Sequence, residues 1–507
     1  MSTIPLDRLT TGRKMARNTV WNLAGHATPL LVAIVAIPRL IHGLGTERFG
    51  ILPLAWTIIG YFGLFDMGLG RALTKLVAEK LARHEDNELP GLVWTALILM
   101  FLLGVAGGIL AALLFPWLAR AVLKIPPGLQ EETIQAFYII AASIPVVVST
   151  AGLRGILEAF QRFDLVNLLR IPLGVITYLA PLLVLPFSHR LGPIMAALVA
   201  GRVLAWVAHG WLCLHVMPSL RHGIEWQQTV IAPLLRFGSW MTVSNVISPV
   251  MVYMDRFIIG ALVSLTAVAY YATPYELATK LLLIPSALAT VLFPGFSASL
   301  AKDRTRTAHL FDRGVNYILL FMFPATLIMA GLARPGLQIW LGPDFAQNGA
   351  PVLQWLVVGT FINSIAFVPF SLLQGAGRPD LTAKLHMAEL PFYLLALWWL
   401  VRNVGINGAA IAWAGRVSVD MSILFFLSAR ILPEGGQRLK KTALVAGMML
   451  VAFAMATVPV SLPMELLYLT VTLAVFVVMS WFFVLQTAER VVIQKLLRRN
   501  LRARSTS

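Results

Sequence analysis

The sequence predicts an all-α polytopic membrane protein of about 14 transmembrane helices, and three observations carry that expectation. Apolar residues make up 58% of the chain and charged residues only 12%, with a mean hydropathy of +0.79; a soluble domain carries about twice that charge. Apolar runs near twenty residues recur from end to end, each long enough to cross a hydrocarbon core of ~30 Å as a helix. The basic residues alternate between loops: of the 40 lysines and arginines, 29 fall on one side of the spans and 7 on the other. That is the positive-inside bias of an even span count with both termini in the cytoplasm.

The first span, 19–41, is too long for the core of a signal peptide, and no small-residue cleavage site follows it. The next five fall near 49–69, 92–118, 133–153, 165–187 and 194–216. Six more follow near 237–261, 268–296, 315–332, 352–373, 385–401 and 408–427, and a last pair near 444–460 and 466–485. The loops between them are too short to hold a catalytic domain. There is no G-x-x-x-x-G-K-[ST] loop, no H-E-x-x-H and no Cys/His metal cluster. The lone Cys213 rules out an intrachain disulfide. An enzyme is therefore not expected, and no catalytic residue, metal or cofactor is assigned. The net charge of +17 would suit nucleic acid, but its distribution over alternate loops argues against that partner. The tail "RVVIQKLLRRNLRARSTS" reads instead as a topology anchor or a contact with anionic membrane lipids.

The chain also repeats itself. "AGRV" occurs at 200–203 and at 414–417; "LEAFQRFDL" at 157–165 matches "LQGAGRPDL" at 373–381; "PRLIHG" at 38–43 matches "DRFIIG" at 255–260. The three echoes run in chain order at nearly one offset. They divide the chain into an N-terminal six-helix lobe (1–222), a C-terminal six-helix lobe (223–432), and two extra helices with a basic tail (433–507). Six is even, so both lobes enter the bilayer from the same side, a parallel repeat making two pseudo-symmetric bundles. Such lobes can enclose a central cavity and rock to open it on either side.

Arg202 and Arg416 are then symmetry mates, each about 15 Å from the outer end of its span at ~1.5 Å per residue. A mid-bilayer cation costs at least ~2.5 kcal/mol unless it meets water, a partner or a bound anion. One reading is a cationic cavity for an anionic substrate; the other is neutralisation by a nearby carboxylate. Asp420, at i+4, can serve Arg416, whereas Arg202 has Leu198 and Trp206 at those positions. Glu276 and Lys280, also i,i+4, form either a self-neutralising pair or a site of proton or ion exchange; Pro274, Pro285 and Pro294 can bend their helix. Asp255 and Arg256 lie in the outer third of their span, where snorkelling to the interface is cheap. Glu389 has no cation at i±4, only His386 at i−3, and is a candidate proton site. The buried charges number four cations (Arg202, Arg256, Lys280, Arg416) against five carboxylates (Asp66, Asp255, Glu276, Glu389, Asp420), so the tally alone does not decide the substrate's sign.

Three segments, "GLGTERFGILPLAWTIIGYFGLFDMGLGRALTKLVAE" (43–79), "WLGPDFAQNGAPVLQWL" (340–356) and "LLQGAGRPDLTAKLHMAELP" (372–391), resemble the polysaccharide transporters of the multidrug/oligosaccharidyl-lipid/polysaccharide (MOP) exporter superfamily. The resemblance is strongest to the O-antigen, or lipid-linked oligosaccharide, flippases. It implies a bacterial inner-membrane protein that turns an undecaprenyl-pyrophosphate-linked oligosaccharide from the cytoplasmic to the periplasmic leaflet by alternating access. On that reading Arg202, Arg416, Lys280 and Arg256 line the substrate cavity, and Glu276, Asp255, Glu389 and Asp420 are ion-coupling candidates. H+ or Na+ as the coupling ion, and a glycan polymerase as partner machinery, stay open. The alternative is a MATE-type cation-coupled drug antiporter of the same superfamily, which favours a carboxylate-rich cavity.

Overall fold

The computed structural model describes residues 12–64, 68–300, 303–432, 447–456, 461–481 and 490, with side chains omitted chiefly at 12–27, 61–64 and 235–249. Asp66 and nearly all of the basic tail lie outside the described residues. Within them the protein is all-helical. Among the described residues ten helices are long and apolar enough to cross a membrane, and the protein is a multi-pass membrane protein.

The helices are α1 (Gly12–Leu64), α2 (Leu69–Ala82), α3 (Leu89–Trp117), α4 (Pro127–Ala159), α5 (Phe163–Val184), α6 (Leu191–Val216), α7 (Ile231–Leu262) and α8 (Leu265–Lys280). They continue as α9 (Leu283–Leu300), α10 (Arg304–Gly331), α11 (Ala333–Leu341), α12 (Pro343–Gly375), α13 (Pro379–Val404) and α14 (Ile406–Ile431). A short apolar α15 (Gly447–Ala456) and α16 (Leu462–Met479) complete them. The chain groups into two compact units, Met1–Ala269 and Tyr270–Ser507.

Two interruptions have plain local causes. The long α1 is broken at Gly45, whose φ of 77° and ψ of 159° suit a residue without Cβ; this is where the loop between the first two apolar runs is expected. The eighth run is split between Lys280 and Leu283, because Pro285 has no N–H to give the Leu281 carbonyl.

Each unit is organised round one buried helix. In the first unit it is α4, against which α3 packs at backbone distance: a Cβ added to Gly104 would lie 2.5 Å from Pro145 Cα. Small residues let membrane helices approach this closely, and packing then supplies the attraction that lipid cannot. In the second unit α12 holds the same place, with Gly359 lying under the Trp413 ring of α14. Outer faces are apolar and bare, as lipid requires: Leu113 is 72% exposed and Phe392 73%. Helix lengths repeat as well. α4 and α12 are both 33 residues, and α6 and α14 both 26.

Candidate functional site

The repeated "QRFD" and "GRPD" segments fold into the same corner. Gln161 (φ 55°) ends the α4 turn and Gly377 (φ 73°) ends that of α12. The arginine that follows each forks onto the aspartate two residues on. Arg162 gives Nε and Nη2 to Asp164 at 3.0 and 3.0 Å; Arg378 gives the same atoms to Asp380 at 3.0 and 3.2 Å. Both aspartates sit in the first turn of the next helix, where the helix dipole favours an anion. The hydrogen bonds from Arg378 hold the Asp380 carboxyl below the usual aspartate range.

Between these corners and the mid-helix arginines the two units differ. In the first, α4, α5 and α6 line an open cavity of about 340 Å³, within the size range of small-ligand sites. α4 contributes Thr150, Arg154 and Glu158, α5 contributes Arg170, and α6 contributes Arg202 and His209. The spacing explains the convergence: 150, 154 and 158 fall on one face of α4, and 202, 205 and 209 on one face of α6. Arg154 and Glu158 pair at 3.5 Å along their own helix. Three arginines thus face one carboxylate. Arg202 makes no ion pair among the described residues, so its charge is available to an anion entering the cavity. His209 is buried, its Nδ1 2.7 Å from the Ala205 carbonyl.

In the second unit Arg416 is engaged by protein. Its Nη1 lies 3.9 Å from Glu389 Oε2, and its guanidinium lies 5.6 Å from the Tyr393 ring centroid. Asp420, expected to neutralise Arg416 along α14, instead meets His386 Nε2 of α13 at 3.4 Å. The pairing runs across helices because α13 presents His386, Glu389 and Tyr393 at helical spacing to the α14 face carrying Arg416 and Asp420.

The other candidates fall elsewhere. Glu276 and Lys280 close on each other at 3.2 Å, both partly exposed. Asp255 and Arg256 do not snorkel: they are 1% and 3% exposed, with Arg256 Nη1 donating to Thr57 Oγ1 at 2.9 Å and its guanidinium over Tyr253. Packing of α7 on α1 and α2 closes over them. The candidates therefore form separate clusters: Arg202 with residues not singled out in the sequence, Arg416 with Glu389 and Asp420, Glu276 with Lys280, and Asp255 beside Arg256. Arg154, Arg170 and His209 were missed. Their signal is a polar stripe at i+4 or i+7 running inward from the span ends.

Comparison with known proteins follows the same lines. A family model described as "Polysaccharide biosynthesis protein" matches residues 15–300. The Shigella flexneri protein named "Putative O-antigen transporter" is 35% identical over 423 residues, 82% of this chain and 98% of its own. Among solved structures, the lipid II flippase MurJ in an inward closed conformation superposes with a TM-score of 0.69 at 13% identity, over 92% of this chain and 98% of its own. A multidrug resistance MATE family transporter of the MOP superfamily, inward-facing, gives 0.68 at 15%, over 84% and 96%. At those identities the two structures speak for the fold alone.

Proposed function

The chain belongs to the polysaccharide biosynthesis protein family, a family of transporters and not of enzymes, and from that premise we propose that it flips a lipid-linked oligosaccharide. The substrate is an undecaprenyl-pyrophosphate-linked glycan, carried from the cytoplasmic to the periplasmic leaflet of a bacterial inner membrane by alternating access. The architecture that goes with this reading has about fourteen spans with both termini cytoplasmic. Lobes 1–222 and 223–432 form a parallel repeat, and 433–507 adds two helices and the tail. The equal lengths of α4 and α12, and the matching arginine–aspartate corners, support the repeat.

The observation that carries the function is the cavity with three arginines against one carboxylate. A pyrophosphate cannot cross hydrocarbon bare, and guanidinium forks bind phosphate oxygens with charge-assisted hydrogen bonds. Arg202, at mid-helix and without an ion pair among the described residues, is the group to hold it while the glycan passes. The lipid tail needs no protein site, since it stays in the bilayer. A cation-coupled drug antiporter would want the opposite charge in this cavity.

The test is surface glycan display in cells whose own flippase for lipid-linked glycan has been deleted. The wild-type chain should restore display, and Arg202→Gln should lower it at equal expression. Full display by Arg202→Gln and by the Arg154→Gln/Arg170→Gln/Arg202→Gln triple variant would remove the cavity from the mechanism.

A further inference from the structure

The cluster on α13 and α14 has no role in the function just proposed, yet it is the most heavily charged buried site among the described residues. Glu389 and Asp420 are 8% and 6% exposed. Neither carboxylate oxygen of Glu389 accepts a hydrogen bond from a described residue, and Asp420 Oδ1 and Arg416 Nε are likewise without one. Arg416 stands 3.9 Å from Glu389, beyond hydrogen-bonding distance. One guanidinium faces two carboxylates, so only a proton on one of the site's own groups brings it to neutrality. In a low-dielectric interior an uncompensated charge is costly enough that such a site takes up a neutralising ion.

The chemistry of the donors decides which ion. No group of three or more His, Cys, Asp and Glu side chains among the described residues is arranged to hold a metal. A metal cation here would also meet Arg416, already beside Glu389. A proton has no such conflict, because it needs one oxygen and no coordination shell. Few charges come from the surroundings among the described residues: α10, which touches α14 through Phe311 and Phe425, carries Asp312 and Arg313 beside that contact. α12, which packs on both helices, has a single charged residue, Asp344, in its first turn. α8 touches α14 through Tyr275 and Trp413, and its Glu276 pairs with Lys280 at 3.2 Å. His386, 30% exposed at its side chain, is the most exposed member and lies 3.4 Å from Asp420.

We propose that Glu389, Asp420, His386 and Arg416 form a proton-binding site, in which one proton taken up on the Glu389 carboxylate replaces Arg416 as its counter-charge. The proton arrives from water by way of His386, whose imidazole accepts it at one nitrogen and returns to neutrality on passing it to a carboxylate. Glu389 then carries a neutral carboxyl group, and Arg416 is left to Asp420, its i+4 neighbour on α14. The attraction binding α13 to α14 across Glu389 and Arg416 is thereby switched off, two residues from Pro391. That proline leaves the Met387 carbonyl without its helical N–H, so α13 can bend beside the site. Arg416 thus serves as the internal counter-ion of a proton site and not as a ligand for the glycolipid. The inference holds whatever the substrate, since the site is complete without one.

Its test therefore uses the purified full-length protein in lipid nanodiscs with no substrate added. Infrared difference spectra across a pH titration report carboxyl groups through their C=O stretch. The wild type should show a protonated, buried carboxyl that titrates with about one proton per protein. Glu389→Gln should abolish that signal, Asp420→Asn should displace its midpoint, and Glu276→Gln should leave it unchanged. A wild-type protein with no titrating buried carboxyl overturns the proposal by itself, so the outcome does not depend on any variant folding. A signal that persists in Glu389→Gln overturns it equally. Failure of glycolipid flipping in cells would leave this titration untouched, which separates the two claims.

Discussion

Replacing Arg202 by glutamine tests the cavity with little risk to the fold. Arg202 lies mid-helix on α6 and has no ion-pair partner among the described residues, so its loss strands no carboxylate. Glutamine keeps most of the length and two N–H donors while removing the charge. A charge-assisted hydrogen bond contributes ~1.5–3 kcal/mol, and ~1.4 kcal/mol is tenfold in affinity. If Arg202 donates to a phosphate oxygen, Arg202→Gln should weaken anion binding by roughly 10- to 100-fold. Arg154→Gln should cost less, because Arg154 is already paired with Glu158 at 3.5 Å and is solvent-exposed. The assay is calorimetric titration of inorganic pyrophosphate into the purified protein, repeated at higher salt. Equal Kd values for wild type and Arg202→Gln would refute the assignment. So would equal losses from Arg202→Gln and Arg154→Gln, because the effect would then be bulk charge.

Three further outcomes follow from the packing. Arg416→Gln leaves Glu389 buried without its cation and should cost about 3–5 kcal/mol of stability; adding Glu389→Gln should recover most of it, as thermal unfolding of the single and double variants will show. Thr57→Val removes the hydroxyl that accepts from Arg256 at 2.9 Å and should cost about 1.5–3 kcal/mol, whereas Thr57→Ser should be near neutral. Gly104→Ala places a methyl group 2.5 Å from Pro145 Cα and should lower the unfolding temperature by forcing α3 off α4, at a cost of about 1–3 kcal/mol. Gly336→Ala, with nothing within 4 Å, is the control.

The class of the protein was legible because lipid leaves so few solutions: a chain this apolar must be helical, and its basic residues must sort by side. The echo at 157–165 and 373–381 marked the arginine–aspartate corners as equivalent places, since it keeps Arg162/Arg378 and Asp164/Asp380 in register. It did not show that each pair closes on itself or that Gln161 and Gly377 turn the chain. Pairings between helices were not legible. Looking along α14 found Asp420 for Arg416, but a rule of i,i+4 cannot see Glu389 arriving on α13. Asp255 and Arg256 were expected to reach the interface because depth in a span is readable, whereas the neighbour that covers a helix face is not. Arg154 falls just past the fourth apolar run (133–153) and Arg170 inside the fifth (165–187), and nothing in the sequence alone brings the two together. Each lies only one or two turns from a helix end, and folding turns both toward Arg202.

Flipping itself can be watched directly in proteoliposomes holding the purified protein and a labelled polyprenyl-pyrophosphate oligosaccharide, by following its exposure to a reagent confined to one leaflet. The account predicts rapid exchange between leaflets with the wild-type chain and the background rate of empty liposomes with the Arg154→Gln/Arg170→Gln/Arg202→Gln variant. Exchange by that variant at the wild-type rate, or a wild-type rate no faster than protein-free vesicles, would contradict it.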